Sequence, residues 1–451
     1  MKATHLLAVV LLLSIALASL LPAQPVVQVA AGVDGISAAL ATATSGTIIE
    51  LTTSGGEYIE TLNDSIKVNI TLRAASGLAQ KPVIYGGGGD ATFFVTHGSF
   101  VVEGVKFDGL AHGTPFGQYM ITVKGDTLVP SPFVLKITNC EFAHWQQRAI
   151  YTPSSAKTAL DTVLVKNCVF RNGIKQCMYL KATRNDSNLF PGGYKYCLVQ
   201  NCLLVGTSSS SDGYFSYLEP GNRDVSDKGW PTVIVDHVTV DSSVYGIYTY
   251  TTPGAVIKNC IVTNIDTSKY AYGVESGRFT GSPASTVQNC LTFNLPHPYY
   301  PGNAFSTTNV VNLLSGDPLF NNPGALDYSL KAGSPGKNAG TDGKDLGYIA
   351  GGLTDVEKIN DRLPESFQLS QNYPNPFNPT TTIQFSVVKT GVYSVKVFNL
   401  LGEEVASLFN GTVAPGDYSV HFDAAHLSSG MYVYTLAGEG VSISKKLVFL
   451  K

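Results

Sequence analysis

Cysteines are the residues whose spacing first suggests chemistry in this 451-residue chain. Thiolates bind metals and form disulfides. No CxxC pair or histidine-rich spacing accompanies them, so the sequence predicts no metal site. Seven cysteines also cannot all pair within one chain. Five of the seven end an apolar run after an asparagine: Asn139-Cys140, Asn167-Cys168, Asn201-Cys202, Asn259-Cys260 and Asn289-Cys290.

The spacing of these Asn-Cys pairs predicts a solenoid. The steps are 28, 34, 58 and 30 residues, and the long step divides at Asp236-His237. Units of this size, each with a short strand, a turn and a strand, bury their apolar faces only by stacking. Parallel stacked side chains give poor disulfide geometry, so a ladder of buried thiols is expected. His237 is predicted to replace a cysteine in that ladder, buried and hydrogen-bonded.

The segment before each Asn-Cys pair alternates like a strand. In Val163-Leu164-Val165-Lys166-Asn167-Cys168 the valines face one way, and Asn suits a left-handed turn. Stacked asparagines can bond one another between coils. Residues 24–350 therefore resemble the right-handed parallel β-helix of the pectate-lyase superfold, with a short helix near residues 36–44 expected to cap the open end.

The two ends of the chain predict export. Residues 1–23 read as a signal peptide, because the apolar run from Leu6 to Leu21 is too short for a stable membrane span. No transmembrane segment is expected after its cleavage. Residues 351–370 are polar and are interpreted as a linker.

A proline-rich motif, YPNPFNPTT, begins at Tyr373 and is followed by alternating strands. Residues 371–451 closely resemble the type A C-terminal sorting domain of the type IX secretion system. The period-two strands and their glycine turns predict a small antiparallel, Ig-like β-sandwich. The resemblance implies contact with the secretion machinery and a secreted or outer cell-surface location. The whole chain is thus predicted to be all-β.

Counting from the Asn-Cys pairs aligns one strand per coil and predicts an outward aromatic stripe. The first outward column reads Tyr151, Tyr179, Phe215, Tyr248, Glu275, and the next includes Lys181, Tyr217 and Tyr250. Sugar rings stack on such faces, and related β-helix proteins hold polysaccharide there. The predicted substrate-binding residues are Tyr151, Tyr179, Phe215, Tyr217, Tyr248, Tyr250 and Glu275. The alternative is that the aromatics only stabilise neighbouring coils.

A second function is a polysaccharide lyase acting on a uronic-acid polymer by β-elimination. Such an enzyme needs a base, for which Lys181, Arg184 and Arg278 are candidates, beside a group that neutralises the uronate carboxylate. Glu219 and Glu275 could bind Ca²⁺ for that purpose; otherwise no cofactor is expected. A hydrolase is not expected, because paired carboxylates at a set separation are missing from the stripe. The sequence leaves open whether the protein is an enzyme.

The overall charge excludes one class of partner. The formal net charge is −3, and charged residues make up 14% of the chain. A nucleic-acid-binding surface needs a basic patch, so no nucleic-acid partner is expected.

Overall fold

The structure is a computed structural model. It describes residues 24–61, 63–75, 77–86, 91–111, 114–115, 119–124, 133–153, 160–181, 194–207, 216–219, 232–249, 254–266, 270–273, 283–295, 297–299, 302–303, 306–350, 356–360, 364, 366–378, 380–389, 391–413, 415–424 and 427–450. The predicted signal peptide, residues 1–23, lies outside these ranges. The described residues form two compact units, within residues 24–350 and 356–450. Among them, no helix is long and apolar enough to cross a membrane.

The first unit is a right-handed parallel β-helix, as predicted. Successive coils pair in parallel through three sheets, which we call the first, second and third sheet in the order the chain visits them within one coil. Side chains on the inner face of each strand are buried in one continuous apolar core. Each strand is two to ten residues long, so almost all pairing is between coils rather than between neighbours in sequence.

The strands of the three sheets are as follows. The first sheet contains Val26–Val29, Thr47–Leu51, Ile70–Ala74, Phe100–Glu103, Phe133–Thr138, Leu160–Lys166, Tyr194–Gln200, Thr232–Asp236, Val256–Lys258 and Ser306–Ser315. The second contains Gly32–Val33, Glu57–Ile59, Val83–Tyr85, Lys106–Asp108, Glu141–Ala143, Val169–Gly173, Leu203–Thr207, Thr239–Asp241 and Ile261–Thr263. Two strands, Ser285–Phe293 and Ser306–Ser315, run through both sheets. The third contains Asp64–Ile66, Ala91–Val95, Tyr119–Val123, Arg148–Thr152, Met178–Lys181, Ser216–Glu219, Ile247–Tyr248, Tyr270–Gly273 and His297–Tyr299.

A helix, Gly35–Thr42, lies at the N-terminal end of the β-helix, close to the predicted capping position. Its Ile36 and Ala39 are buried against the first coil. The buried Glu60 of the next strand region accepts hydrogen bonds from the backbone N–H groups of Ile36 and Ser37, both at 3.0 Å. A carboxylate there satisfies N–H groups that have no partner within the helix, so Glu60 fixes the cap to the solenoid.

The corner between the first and second sheets explains the repeated asparagines. Its residues adopt the left-handed conformation with φ between 47° and 56°: Asn139, Asn167, Asn201, His237, Asn259 and Asn289. The amide of Asn201 donates to Oδ1 of Asn167 one coil away, at 2.9 Å. Asparagine tolerates this backbone better than other L-residues, and its amide links adjacent coils.

The cysteine after each corner points into the core. All seven cysteines are free and buried, as the thiol-ladder prediction required. The thiol of Cys168 donates to the carbonyl of Lys166 at 3.2 Å. Burial raises the pKa of Cys140 and Cys168 well above the usual value, so these residues act as small neutral core side chains.

His237 lies one position away from its predicted place. The strand register pairs Gln200 with Asp236, so His237 stands opposite Asn201 at the corner and Val238 follows where other coils have cysteine. The prediction that His237 replaces a cysteine is therefore wrong. The predicted burial is correct, since the residue is 1% exposed. Its positive φ of 49° shows that it replaces the corner asparagine.

A closing segment, residues 317–350, packs along the second sheet and the asparagine corner. Its strands Phe320–Asn322 and Asp327–Leu330 form a hairpin around the 3₁₀ turn Pro323–Ala325. The side-chain oxygen of Asn259 accepts from the backbone of Thr341 at 2.8 Å, and that of Asn201 accepts from Ile349 at 2.8 Å. The corner amides thus hold the closing segment as well as the coils.

His237 also contacts the closing segment, through an ion pair. Its Nδ1 lies 2.8 Å from Asp236, and its Nε2 lies 3.5 Å from Asp342 of the closing segment. Burial disfavours the imidazolium, but the two carboxylates prevail and raise the pKa of His237 to about 9. Although burial acts against it, the imidazolium lowers the pKa of Asp342 to about 2. The cation is therefore present at neutral pH.

The second unit is an antiparallel β-sandwich. One sheet contains Val356–Asn360, Gly416–Asp423, Thr380–Val387 and Gln368–Leu369, and the other contains Glu404–Val413, Gly391–Phe398, Gly430–Gly438 and Val441–Phe449. The unit begins earlier than the boundary predicted at residue 371. Val356–Asn360 pairs with Gly416–Asp423, so part of the predicted linker is a strand. The polar sequence of this strand led to its interpretation as a linker.

Candidate functional site on the outer face of the third sheet

The third sheet carries the tyrosines predicted to bind substrate. Ile150 and Met178 pair in register and point into the core, so their neighbours Tyr151 and Tyr179 point outward. Tyr151 and Tyr179 are half-buried and adjacent, and their ring centroids lie 5.8 Å apart with planes tilted by 54°. The structure brings these two predicted residues together.

In the next coils, the strand register places residues other than the predicted ones in this column. Tyr217 pairs with both Tyr179 and Tyr248, so it takes the position that the sequence alignment gave to Phe215. Gly273 pairs with Tyr248 in place of the predicted Glu275. The alignment was wrong by two residues in each case. We call the shared register position of Tyr151, Tyr179, Tyr217 and Tyr248 the tyrosine column.

Several predicted residues lie outside the described part of the chain: Phe215, Tyr250, Glu275, Arg184 and Arg278. For Tyr217, Lys181 and Glu219 the structure describes the backbone strand. Lys181 pairs in register with Glu219, directly beyond the tyrosine column. The predicted base candidates thus remain predictions. Among the described residues, no group of three or more His, Cys, Asp or Glu side chains could hold a metal ion.

Arg148 joins the tyrosines into a compact cluster. Its guanidinium carbon lies 4.4 Å from the ring centroid of Tyr179, 4.7 Å from that of Tyr151 and 5.9 Å from that of Tyr119. The rings of Tyr119 and Tyr151 stack at 4.5 Å with planes 13° apart. We call Tyr119, Arg148, Tyr151 and Tyr179 the arginine–tyrosine cluster. Each cation–π contact of this kind is worth about 0.5–2 kcal/mol.

The contacts of Arg148 within the cluster leave part of its hydrogen-bonding capacity unused. Burial raises the pKa of Tyr151, opposed by the nearby cation of Arg148, so the phenol stays neutral. Nη1 of Arg148 lies 3.5 Å from the hydroxyl of Tyr119, which is the limit of a hydrogen bond. Its Nε is shielded from solvent and has no hydrogen-bond partner among the described residues. The guanidinium therefore retains donor capacity beside three aromatic rings.

Tyr119 was missed by the sequence alignment, which began at Asn139. The preceding coil turns at Gly104, whose φ of 72° gives the left-handed conformation that the corner needs. That coil therefore has no Asn-Cys pair to mark it. The alternating stretch Tyr119-Met120-Ile121-Thr122-Val123 was the available signal. The neighbouring His144 and Trp145 do not join the cluster. His144 turns the second corner, 2.8 Å from Asp108, and Trp145 is buried in the core.

Comparison with known proteins gives two kinds of match. Among solved structures, the PL6-family alginate lyase AlyGC has a TM-score of 0.39 and 17% sequence identity, over 65% of this chain and 40% of that chain. A mutant of the same enzyme has a TM-score of 0.36 and 16% identity, over 65% of this chain and 38% of that chain. The chain thus spans about two fifths of the length of these structures. No curated protein matches the chain.

The C-terminal unit has a specific family match. Residues 371–450 match the secretion system C-terminal sorting domain. The proline-rich motif of that match forms the edge of the sandwich, where Phe377 is 2% exposed and packs on Phe422 and Phe449. The chain is therefore a secreted or cell-surface protein, a parallel β-helix that carries a secretion system C-terminal sorting domain.

Proposed function

We propose that the protein binds extracellular polysaccharide along the outer face of the third sheet. The observation that carries the proposal is the arginine–tyrosine cluster, in which one guanidinium packs against three tyrosine rings on an outward face. Tyrosine presents an apolar ring face to the C–H groups of a sugar and a hydroxyl to its polar edge. A secreted location places this face where extracellular polymers occur.

The column repeats with the coils of the β-helix, which favours a polymer over a single small ligand. Tyr151, Tyr179, Tyr217 and Tyr248 occupy one register position on four successive strands. Parallel strands are about 4.8 Å apart, so tyrosine residues recur at that interval along the solenoid axis. An extended chain of sugar units can contact several of them at once, and the contacts then add within one molecule.

Polyuronate cleavage by a lyase is the alternative. The observation in its favour is the register of Lys181 opposite Glu219, which aligns a basic and an acidic residue directly beyond the tyrosine column. Binding remains the preferred proposal, because it rests on described side-chain contacts at Arg148, Tyr151 and Tyr179. Release of unsaturated uronate product, with or without added Ca²⁺, is the outcome that would replace binding by catalysis.

The test is binding of the full-length secreted protein to a panel of polyuronates and neutral glucans, measured by calorimetry and affinity electrophoresis. We expect at least one polymer to bind. The double variant Tyr151→Ala, Tyr179→Ala should then lose about 30-fold in affinity, because it removes two aromatic contacts of about 1 kcal/mol each.

Tyr196→Ala is the matched control, since Tyr196 is a half-buried tyrosine on the outer face of the first sheet. Its affinity should equal that of the unchanged protein. A folded double variant that binds every polymer as tightly as the control would refute the aromatic face as a binding surface. The rings would then serve only to support the coils.

A further inference from the structure

A cleft of about 360 Å³ lies between the second sheet and the closing segment, on a different face from the tyrosine column. Its floor is a column of outward residues on three adjacent coils, Asp241, Thr263 and Phe293, which pair in register. The neighbouring Val262 points into the core, so Thr263 must point outward, into the cleft. The remaining lining residues are Asn264, Asp317, Pro318, Leu319, Phe320, Pro323 and Lys331.

Thr263 is the sign that the cleft takes a ligand. The residue is 1% exposed, and its Oγ1 makes no hydrogen bond with any described group. A buried hydroxyl without a partner is destabilising, because it has lost its hydrogen bonds to water. Most buried polar groups in native structures have a hydrogen-bond partner in the protein, an ordered water or a ligand.

Asp241 makes the floor rigid and is not itself available. One carboxylate oxygen accepts from Asn264 at 2.8 Å and from Ser242 at 3.2 Å. The other accepts from the hydroxyl of Tyr328, in the closing segment, at 2.6 Å. Because donors already occupy both oxygens, Asp241 is a poor ligand for a cation. It fixes the position of the closing segment over Thr263.

The remaining groups indicate an uncharged, hydroxyl-rich ligand. Phe293 and Phe320 supply apolar surface, while Asp317 and Lys331 supply one negative and one positive charge. Neither of these charged groups forms an ion pair with another described residue. Opposite charges select against a strongly charged ligand of either sign, and both can bond hydroxyl groups.

We propose that this cleft binds a single uncharged sugar unit. A sugar ring offers an apolar face to Phe293 and a hydroxyl to Oγ1 of Thr263. The volume lies near the lower end of the range for small-molecule pockets, which fits one ring and excludes a longer chain lying within it. The site is independent of the polymer face, because the two surfaces belong to different sheets.

The test titrates the full-length protein with D-glucose, D-galactose, D-mannose and L-rhamnose, and with D-glucuronate and inorganic phosphate as charged probes. Calorimetry and saturation-transfer NMR report binding, and a crystal soaked with the best binder locates it. We expect one neutral sugar to bind with Kd of about 1 mM or below, in contact with Thr263. Thr263→Val should weaken it about fivefold, since one neutral hydrogen bond is worth about 1 kcal/mol.

Two variants separate lost binding from lost folding. Thr263→Ser keeps the hydroxyl and should keep the affinity, whereas Thr263→Val removes an unsatisfied polar group and should leave Tm unchanged or higher. Tyr179→Ala should not alter sugar binding here, and Phe293→Ala should abolish it without altering polymer binding on the third sheet. Equal affinity of the Val and Ser variants, tighter binding of either charged probe, or only an ordered water on Thr263 would overturn the proposal.

Discussion

Two aromatic columns run along the same β-helix, one inside its wall and one outside. Inside, Phe107, Phe142 and Phe170 stack with centroids 4.9 and 5.0 Å apart and planes within 8° of parallel. Outside, the pair Tyr151 and Tyr179 is tilted by 54°, with Arg148 packed against both rings. The coil spacing is the same in both places, so spacing alone does not distinguish a supporting column from a binding one.

The difference between the columns lies in burial and in charge. The inner rings are 0–1% exposed and lie in the continuous apolar core, where their regular stacking contributes to close packing. The rings of Tyr119, Tyr151 and Tyr179 are half-buried and share the cation of Arg148. Substitutions of the inner rings should therefore lower the free energy of unfolding, whereas substitutions of the outer rings should mainly lower the affinity for a ligand.

Phe142→Ala should cost the most. The residue is fully buried between two stacked rings, and its removal leaves a cavity that the neighbouring coils cannot fill. We expect a loss of about 4 kcal/mol in the free energy of unfolding, measured with urea. Phe142→Leu is the control and should lose about 1–1.5 kcal/mol, because it retains most of the volume. A loss below 1 kcal/mol for the alanine variant would contradict a tightly packed inner column.

The variant His237→Asn tests whether a buried charged side chain contributes to stability, as the buried rings do. The pKa of His237 is about 9 when folded, above its ordinary value of 6.5, so its contribution to stability is complete below pH 6.5 and is lost as the pH rises through 9. Asparagine suits the left-handed corner but carries no charge. At pH 6 the variant should be less stable by an amount on the order of 3 kcal/mol, and the difference should vanish above pH 9.

The control for that prediction is His144→Asn. His144 also turns a corner with positive φ and bonds one carboxylate, but its side chain is 26% exposed, against 1% for His237. Its replacement should change stability by less than half as much, since solvent screens the exposed pair. Matching pH curves for His237→Asn and the unchanged protein would show that Asp236 and Asp342 do not hold a charged imidazole.

Much of the fold but only part of the site could be predicted from the sequence, and the reason is physical. The corner needs a left-handed residue in every coil, so Asn-Cys pairs recur visibly and predict the β-helix. His237 was assigned one position too late because Asp236 resembles the asparagine of the other coils. The path from corner to third sheet has no such requirement. Met178 follows Cys168 by ten positions, whereas Ser216, which pairs with Met178, follows Cys202 by fourteen. Because the sequence gives no sign of this difference, Phe215 was aligned in place of Tyr217.

Contacts across coils were beyond the reach of the sequence. The three rings around Arg148 come from three successive coils, and nothing in the local pattern specifies that a guanidinium fills the space between them. The unpartnered hydroxyl of Thr263 likewise becomes apparent only when the closing segment is in place over it. A proline-rich motif, by contrast, is local, and it identified the sorting domain directly.

Tyr151→Ala should have the smallest effect on unfolding and decides what the outer column is for. The ring is half-buried and its contacts to Tyr119, Tyr179 and Arg148 are worth about 0.5–1.5 kcal/mol each at exposed sites, part of which solvent replaces. We expect a loss of about 1 kcal/mol by urea unfolding, well below that of Phe142→Ala, and about 0.5 kcal/mol or less for Tyr151→Phe. If Tyr151→Ala instead costs as much as Phe142→Ala, the tyrosines support the coils just as the phenylalanines do. The binding measurement on the Tyr151→Ala, Tyr179→Ala variant would then decide whether the outer column also binds polymer.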